Sequence, residues 1–177
     1  YNSEKYIEQC ITGLLSQDYD TERYEIIFIN NCTTDTSVEI VKKHKNIILI
    51  QENKAGSYAA RNAGIKRAHG ELIAFVDPDC VPGRNWLKTI DVQLSSPDTF
   101  IVVGSHALKE ENPIVSLLTE YGNQRNEYVF SSRVNELYYG YTNNMAVKRS
   151  VFDEQGLFLE RMRGADTLFI QKFLQRN

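Results

Sequence analysis

Residues 72–80 read LIAFVDPDC: five apolar residues, then Asp77 and Asp79 on either side of Pro78. A short apolar run bounded by turn formers predicts a buried strand. The two acids come where that strand ends, so their reading depends on what surrounds the strand.

Working outward, strand and helix alternate. Upstream, Ser3 is the candidate N-cap of a helix whose apolar positions Tyr6, Ile7, Cys10, Ile11, Leu14 and Leu15 share one face. YEIIFIN (24–30) predicts a strand, and a short helix follows from Thr34 or Asp35 to Lys43. NIILIQ (46–51) predicts a second strand and SYAARNAGIKRA (57–68) a helix. LIAFV is the third strand; a helix around Trp86 to Leu94 and a fourth strand, FIVVGSH (100–106), come after it. Strands separated by helices imply parallel pairing through right-handed crossovers. The expected class is therefore α/β, with an open, mostly parallel central sheet flanked by helices. Beyond residue 107 the rhythm changes: a helical stretch over 114–127, a polar segment to Glu136, short strands near YYGY and NMAVK, and a last helix from Asp166.

In open α/β sheets ligands bind beyond the carboxyl ends of the strands, which is where Asp77 and Asp79 fall. Residues i and i+2 of an extended segment point the same way, and Pro78 disfavours the helical region for Asp77. Two carboxylates held close repel each other unless a cation stands before them. Mg²⁺ or Mn²⁺ is the natural one, because hard ions take oxygen ligands and bind through one or two carboxylates plus substrate phosphates. Asp-Pro-Asp suits a plain turn equally well. Its place after the most apolar strand, where a turn needs no second acid, favours the ion.

Composition narrows the classes. A chain of 177 residues, 42% hydrophobic and 24% charged, suits one globular domain with one core. A net charge of -3 with scattered Lys and Arg gives no basic footprint for nucleic acid. No apolar run reaches bilayer-spanning length and no signal-peptide pattern opens the chain, so the expected compartment is the cytoplasm. Cys10, Cys32 and Cys80 match neither a zinc site nor a redox pair and read as small buried or half-buried thiols. No dinucleotide-binding glycine motif and no Walker lysine motif is present. The chain begins on Tyr1 and runs straight into a helical pattern, as a piece of a longer protein would.

Five segments in order carry a family resemblance: YNSEKYIEQCITGLLSQDY (1–19), FINNCTTDTS (28–37), AGSYAARNAG (55–64), VDPDC (76–80) and RGADTLF (163–169). They resemble, in turn, the opening Tyr-Asn and first helix, the Asp-rich turn, the Ala-Arg-Asn-x-Gly helix, the D-x-D and the Glu-Asp signature of family 2 glycosyltransferases of the GT-A fold. The resemblance covers nearly the whole chain. It implies a single GT-A domain over 1–177 that lacks its first strand, with a nucleotide-binding half (1–106) and an acceptor-binding half (107–177).

By that resemblance Tyr1 stacks on the base, Asn30 and Asn31 bond the base or ribose, and Arg61 reaches the base or diphosphate. Asp77 contacts the ribose or the metal, Asp79 binds the metal, and Asp166 is the base that deprotonates the acceptor hydroxyl. The implied activity is inverting, metal-dependent transfer from a nucleotide diphosphate sugar, UDP-linked by analogy, to a sugar, lipid-linked or glycan acceptor. Cell-envelope polysaccharide or glycolipid synthesis at the cytoplasmic face of a membrane is the implied setting, with tethering left to flanking segments.

The chain departs from the family in two places: Asn30 and Asn31 stand where an Asp is common, and Ala165 replaces the Glu before Asp166. These departures keep open a nucleotide-binding or scaffolding module that has lost turnover. A phosphohydrolase of the haloacid dehalogenase type fits poorly, since its D-x-D belongs near the N-terminus. Plainer readings stand beside the others: a snorkelling Arg61, Asp166 as only an N-cap, and Asn143 and Asn144 as a polar strand start rather than the acceptor side. His106 ends the fourth predicted strand on the ligand side, and Tyr128, Tyr138, Tyr139 and Tyr141 pack or stack on a sugar.

Overall fold

The computed structural model describes residues 1–107, 113–131 and 140–176. Glu136, Tyr138 and Tyr139, and with them much of the expected polar segment and YYGY strand, lie outside the described residues.

Strand β1 (Ile26–Asn31) pairs in parallel with β2 (Ile47–Glu52), from Ile26 opposite Ile47 to Asn31 opposite Glu52. Strands β3 (Leu72–Val76), β4 (Ile101–Val103) and β5 (Asn144–Lys148) form a second sheet with β5 in the middle, antiparallel to both neighbours. The α/β class holds, but among the described residues parallel pairing is confined to β1 and β2. β3 and β4 do run in the same sense, yet β5 returns between them and takes their inner edges. The physical reason is burial: Met145, Ala146 and Val147 of β5 are 1%, 1% and 0% exposed, so this strand, apolar on both faces, claims the centre.

The two faces of that sheet feed different cores. Ile73, Met145 and Val147 point, with Phe75, Ile101 and Val103, into a cluster made with helices α3 (Ser57–Arg67), α6 (Arg149–Gln155) and α7 (Ala165–Leu174). Leu72, Ala74, Val102 and Ala146 alternate to the other face and meet Ile90 and Leu94 of α4 (Trp86–Leu94). The first cluster is aromatic: the rings of Phe152 and Phe169 stack at 4.9 Å, and Phe158 lies 4.8 Å from Phe169. Each such buried ring contributes about 1.5–3 kcal/mol by its area alone. A third cluster joins Ile7, Cys10 and Ile11 of α1 (Ile7–Leu15) to Val41 of α2 (Ser37–Val41), with Phe28, Leu49 and Val76 against it. Helix α5 (Pro113–Ser131) completes the described elements of the second half.

Three local expectations change. Ser3 does not cap α1: the helix begins at Ile7, and buried Ser3 gives its N–H to Ser37 Oγ at 2.9 Å while its carbonyl accepts from Tyr6 and Ile7. Helix α6 was not legible, because RSVFDEQ is too short to display a helical period. Cys32 is exposed, while Cys10 is buried and Cys80 half-buried.

Candidate active site

The sequence-predicted acids stand at element ends. Asp77 follows β3 directly, and the Cys80 N–H donates to the Asp77 carbonyl at 2.9 Å. Asp-Pro-Asp is thus a hydrogen-bonded turn that carries both acids, not the extended i, i+2 segment that the sequence suggested. Asp79 is exposed, its Oδ1 3.7 Å from Cys80 Sγ. Asp77 is ion-paired, its Oδ1 2.7 Å from Arg61 Nη2. Among the described residues no three His, Cys, Asp or Glu side chains gather as a metal cage. Two carboxylates suit an ion that fills its remaining positions with water and phosphate oxygens, so the donor set fits Mg²⁺ or Mn²⁺ shared with a substrate.

Arg61 is fixed by α3, which also carries Tyr58 one turn earlier. The Arg61 guanidinium carbon lies 5.6 Å from the centre of the Tyr58 ring. The Tyr58 hydroxyl donates to Asp166 Oδ1 at 2.9 Å. Asp166, 9% exposed, further accepts the Thr167 N–H on Oδ1 at 3.0 Å and the Thr142 N–H on Oδ2 at 3.3 Å. Burial first, and then the Asp166 carboxylate, push the Tyr58 phenol above its ordinary range. Asp166 is not the N-cap of α7: that place falls to Gly164 at φ 73, and Asp166 lies within the first turn. An acid there is favoured by the positive end of the helix dipole. Asp77 and Asp166, far apart in sequence, are therefore linked through two side chains of one helix.

Asn30 and Asn31 end β1, each bonded within the chain. Asn30 donates to Gln51 Oε1 at 2.7 Å and accepts from Thr33 N–H at 3.1 Å. Asn31 donates to the Glu52 and Lys54 carbonyls at 3.0 and 2.7 Å and accepts the Gly56 N–H at 2.8 Å, which ties the approach of α3 to the sheet. Tyr1 is 73% exposed at the start of a segment laced to the turn after β1. Asn2 Oδ1 takes the Thr34 N–H at 3.0 Å, Glu4 takes the Thr36 hydroxyl at 2.8 Å, and Asp35 takes the Glu4 N–H at 2.9 Å.

The two asparagines at the start of β5 divide. Asn144 accepts from Trp86 Nε1–H and donates to the Ser105 carbonyl, both at 2.9 Å, and it can do so only because Gly104 has no Cβ: one built there falls 2.6 Å from Asn144 Cγ. Asn143 Oδ1 is buried with no partner among the described residues, as is His106 Nε2. Since Val76 pairs with Asn144, Asp77 and Asn143 are the next residues beyond that end of the ladder. Tyr128 and Tyr141 are 70% and 40% exposed. Tyr58 and Thr142 are the contributors that the sequence did not reveal. A tyrosine inside a helical stretch carries no mark of a distant partner, and a backbone N–H carries no sequence signal.

Solved structures share this fold. Staphylococcus aureus TarS 1–349 superposes with a TM-score of 0.75 at 21% identity, over 96% of this chain and 51% of that one. The mannosyltransferase PcManGT from Pyrobaculum calidifontis, in complex with GDP-Man and Mn²⁺, gives 0.75 at 21% identity, over 97% and 49%. In sequence, the glycosyltransferase AglE of Haloferax volcanii is 38% identical over 93 residues, 50% of this chain and 31% of that protein. Glycosyltransferase GlyG of Streptococcus pneumoniae is 34% identical over 117 residues, 63% of this chain and 38% of that protein. The matched regions thus span 31% and 38% of these relatives. The fold is thus the GT-A fold. The chain matches Glycosyl transferase family 2 over residues 1–156 and belongs to that family.

Proposed function

We propose that this domain transfers a sugar, with inversion, from a UDP-linked donor to an acceptor hydroxyl in envelope polysaccharide, glycolipid or related glycan synthesis. The observation that carries the reading is the link from Asp77 at the rim of β3, through Arg61 and Tyr58, to the buried carboxylate of Asp166. A rim acid beside a held base is the arrangement that displacement at an anomeric carbon needs. The choice of UDP draws on TarS, whose structure of like fold is known in complex with UDP-GlcNAc. The choice of a poly(ribitol-phosphate)-like or other envelope acceptor draws on TarS as a poly(ribitol-phosphate) beta-N-acetylglucosaminyltransferase, 34% identical over 93 residues.

In this reading Asp77 and Asp79 hold Mn²⁺ or Mg²⁺, which when bound offsets the charge of the departing diphosphate. Tyr1, Asn30, Asn31 and Arg61 line the nucleotide. Asp166 accepts the acceptor's hydroxyl proton as that oxygen forms its bond to the anomeric carbon; the bond from that carbon to the diphosphate breaks, and the electron pair leaves with the nucleotide. Asn143, with an unpartnered amide oxygen, and Asn144, whose amide is held by Trp86 and Ser105, belong to the acceptor side in this reading. The proposed setting is the cytoplasm, at the cytoplasmic face of a membrane; no helix among the described residues is long and apolar enough to cross one.

The test is calorimetric titration with a panel of nucleoside diphosphates, with and without Mn²⁺, alongside a donor and acceptor screen read by product mass. Asp79→Ala is expected to abolish metal-dependent nucleotide binding. Asp166→Asn should keep that binding and lose transfer. Absence of any nucleotide binding would sink the proposal. Binding without transfer from any donor would instead mark a nucleotide-binding module, the reading that Ala165 favours.

A further inference from the structure

We infer that Tyr58 is a positioning residue for Asp166: its hydroxyl occupies Oδ1 of the carboxylate and so leaves Oδ2 as the atom that takes the acceptor's proton. This inference rests on the reading of Asp166 as the base.

Three donors meet that carboxylate, and they are unevenly shared. The Tyr58 hydroxyl at 2.9 Å and the Thr167 N–H at 3.0 Å both go to Oδ1. Only the Thr142 N–H goes to Oδ2, at 3.3 Å. A carboxylate oxygen has two lone-pair directions. Oδ1 is therefore filled, while Oδ2 keeps one direction for a hydroxyl from outside. Without the tyrosine hydroxyl, Oδ1 keeps an open lone-pair direction beside the Thr167 N–H, and the carboxylate loses the contact that holds its plane and tilt toward the acceptor.

The ring that delivers this hydroxyl cannot wander. Tyr58 is 5% exposed, its ring centre 5.8 Å from that of Phe158, within the cluster that also holds Ala165, Phe169 and Ile170. The same face of α3 holds the chain leading to the base. Asn62, 3% exposed, accepts the Phe158 N–H at 3.1 Å and donates to the Phe158 carbonyl at 2.9 Å. Arg61, between them in sequence, reaches Asp77. One helix thus contacts both the rim acid, in the turn after β3, and the base, in the first turn of α7. Because its phenol is held protonated by burial and by Asp166, Tyr58 stays a donor through neutral pH.

Tyr58→Phe tests the inference, since it keeps the ring and removes only the hydroxyl. The expected result is a fall in kcat of about 10–100-fold, the scale of a misplaced catalytic group, with donor KM and UDP–Mn²⁺ affinity within about twofold of wild type. A tyrosine that merely fills the core predicts unchanged kcat for Tyr58→Phe and damage only for Tyr58→Ala. Wild-type kcat in Tyr58→Phe overturns the inference. A parallel rise in KM with unchanged kcat does so too, since that would place the hydroxyl in ground-state binding. If Tyr58→Phe is recovered unfolded, the crystal structure of wild type with UDP and an unreactive acceptor decides: an acceptor hydroxyl on Oδ2 supports the inference, and one on Oδ1 overturns it. Asp166→Asn, run alongside, separates the two ideas. Full transfer by Asp166→Asn defeats the base assignment itself, whereas an inactive Asp166→Asn with a fully active Tyr58→Phe defeats only the role of Tyr58.

Discussion

Arg61 Nη2 lies 2.7 Å from Asp77 Oδ1, with the two side chains 17% and 38% exposed. The pair is neither a surface ion pair, worth under about 1 kcal/mol, nor a fully buried one, whose breakage costs about 3–5 kcal/mol. It gives one of the two rim acids a cation of the protein's own. Arg61→Ala is expected to destabilise the domain by about 1–2 kcal/mol, between those limits. Urea denaturation of Arg61→Ala, Asp77→Ala and the double variant should give a coupling energy of about 1 kcal/mol. Strict additivity would show that the contact contributes nothing.

Asn31 answers a question that the sequence raised. The family's acid is absent at this place because the side chain must donate: its amide nitrogen serves the carbonyls of Glu52 and Lys54. An aspartate in its place could still accept the Gly56 N–H, but it would turn an oxygen toward those two carbonyls. Asn31→Asp is therefore expected to lose about 1–3 kcal/mol, the cost of stranding polar groups, and to loosen the loop before α3. Hydrogen exchange at Gly56, faster in the variant than in wild type, is the measurement. Unchanged protection there would mean that the loop holds itself.

The alternation of apolar runs and amphipathic stretches was enough to place the strands and most helices, because burial writes its period into the side chains. Pairing partners were a different matter. NMAVK reads only as a short strand, and nothing in its five residues says that it runs antiparallel between β3 and β4. At the site, the sequence offered Asp77, Asp79, Arg61 and Asp166 as separate candidates. What it could not offer was the pairing of Arg61 with Asp77, or a tyrosine 108 residues before Asp166 that touches it. Contacts of that span are properties of the fold, and a single sequence carries no mark of them.

The thiols give a measurement that requires no substrate. Burial first, then Cys80 and the charges of Asp79 and Asp77, push the Cys10 thiol up from its ordinary 9.0 to about 12. Burial, followed by Asp79 and Asp77, pushes Cys80 up to about 11. At pH 8 both stay protonated and therefore poor nucleophiles, while Cys32 is open to solvent. Brief treatment with iodoacetamide at pH 8 should give a single adduct, at Cys32, by peptide mass spectrometry. The same groups set a sign for stability at high pH. In the unfolded chain the thiols ionise near 9.0, whereas the native state keeps their protons to about 11 or 12. Unfolding thus releases protons in that window, and stability falls as pH rises through it. For buried Cys10 the loss should reach about 1 kcal/mol by pH 10; half-buried Cys80 contributes less, because solvent screens it. Urea midpoints at pH 8 and pH 10 should therefore differ less in Cys10→Ala than in wild type. Equal differences would show that the buried thiol is not what the native state protects.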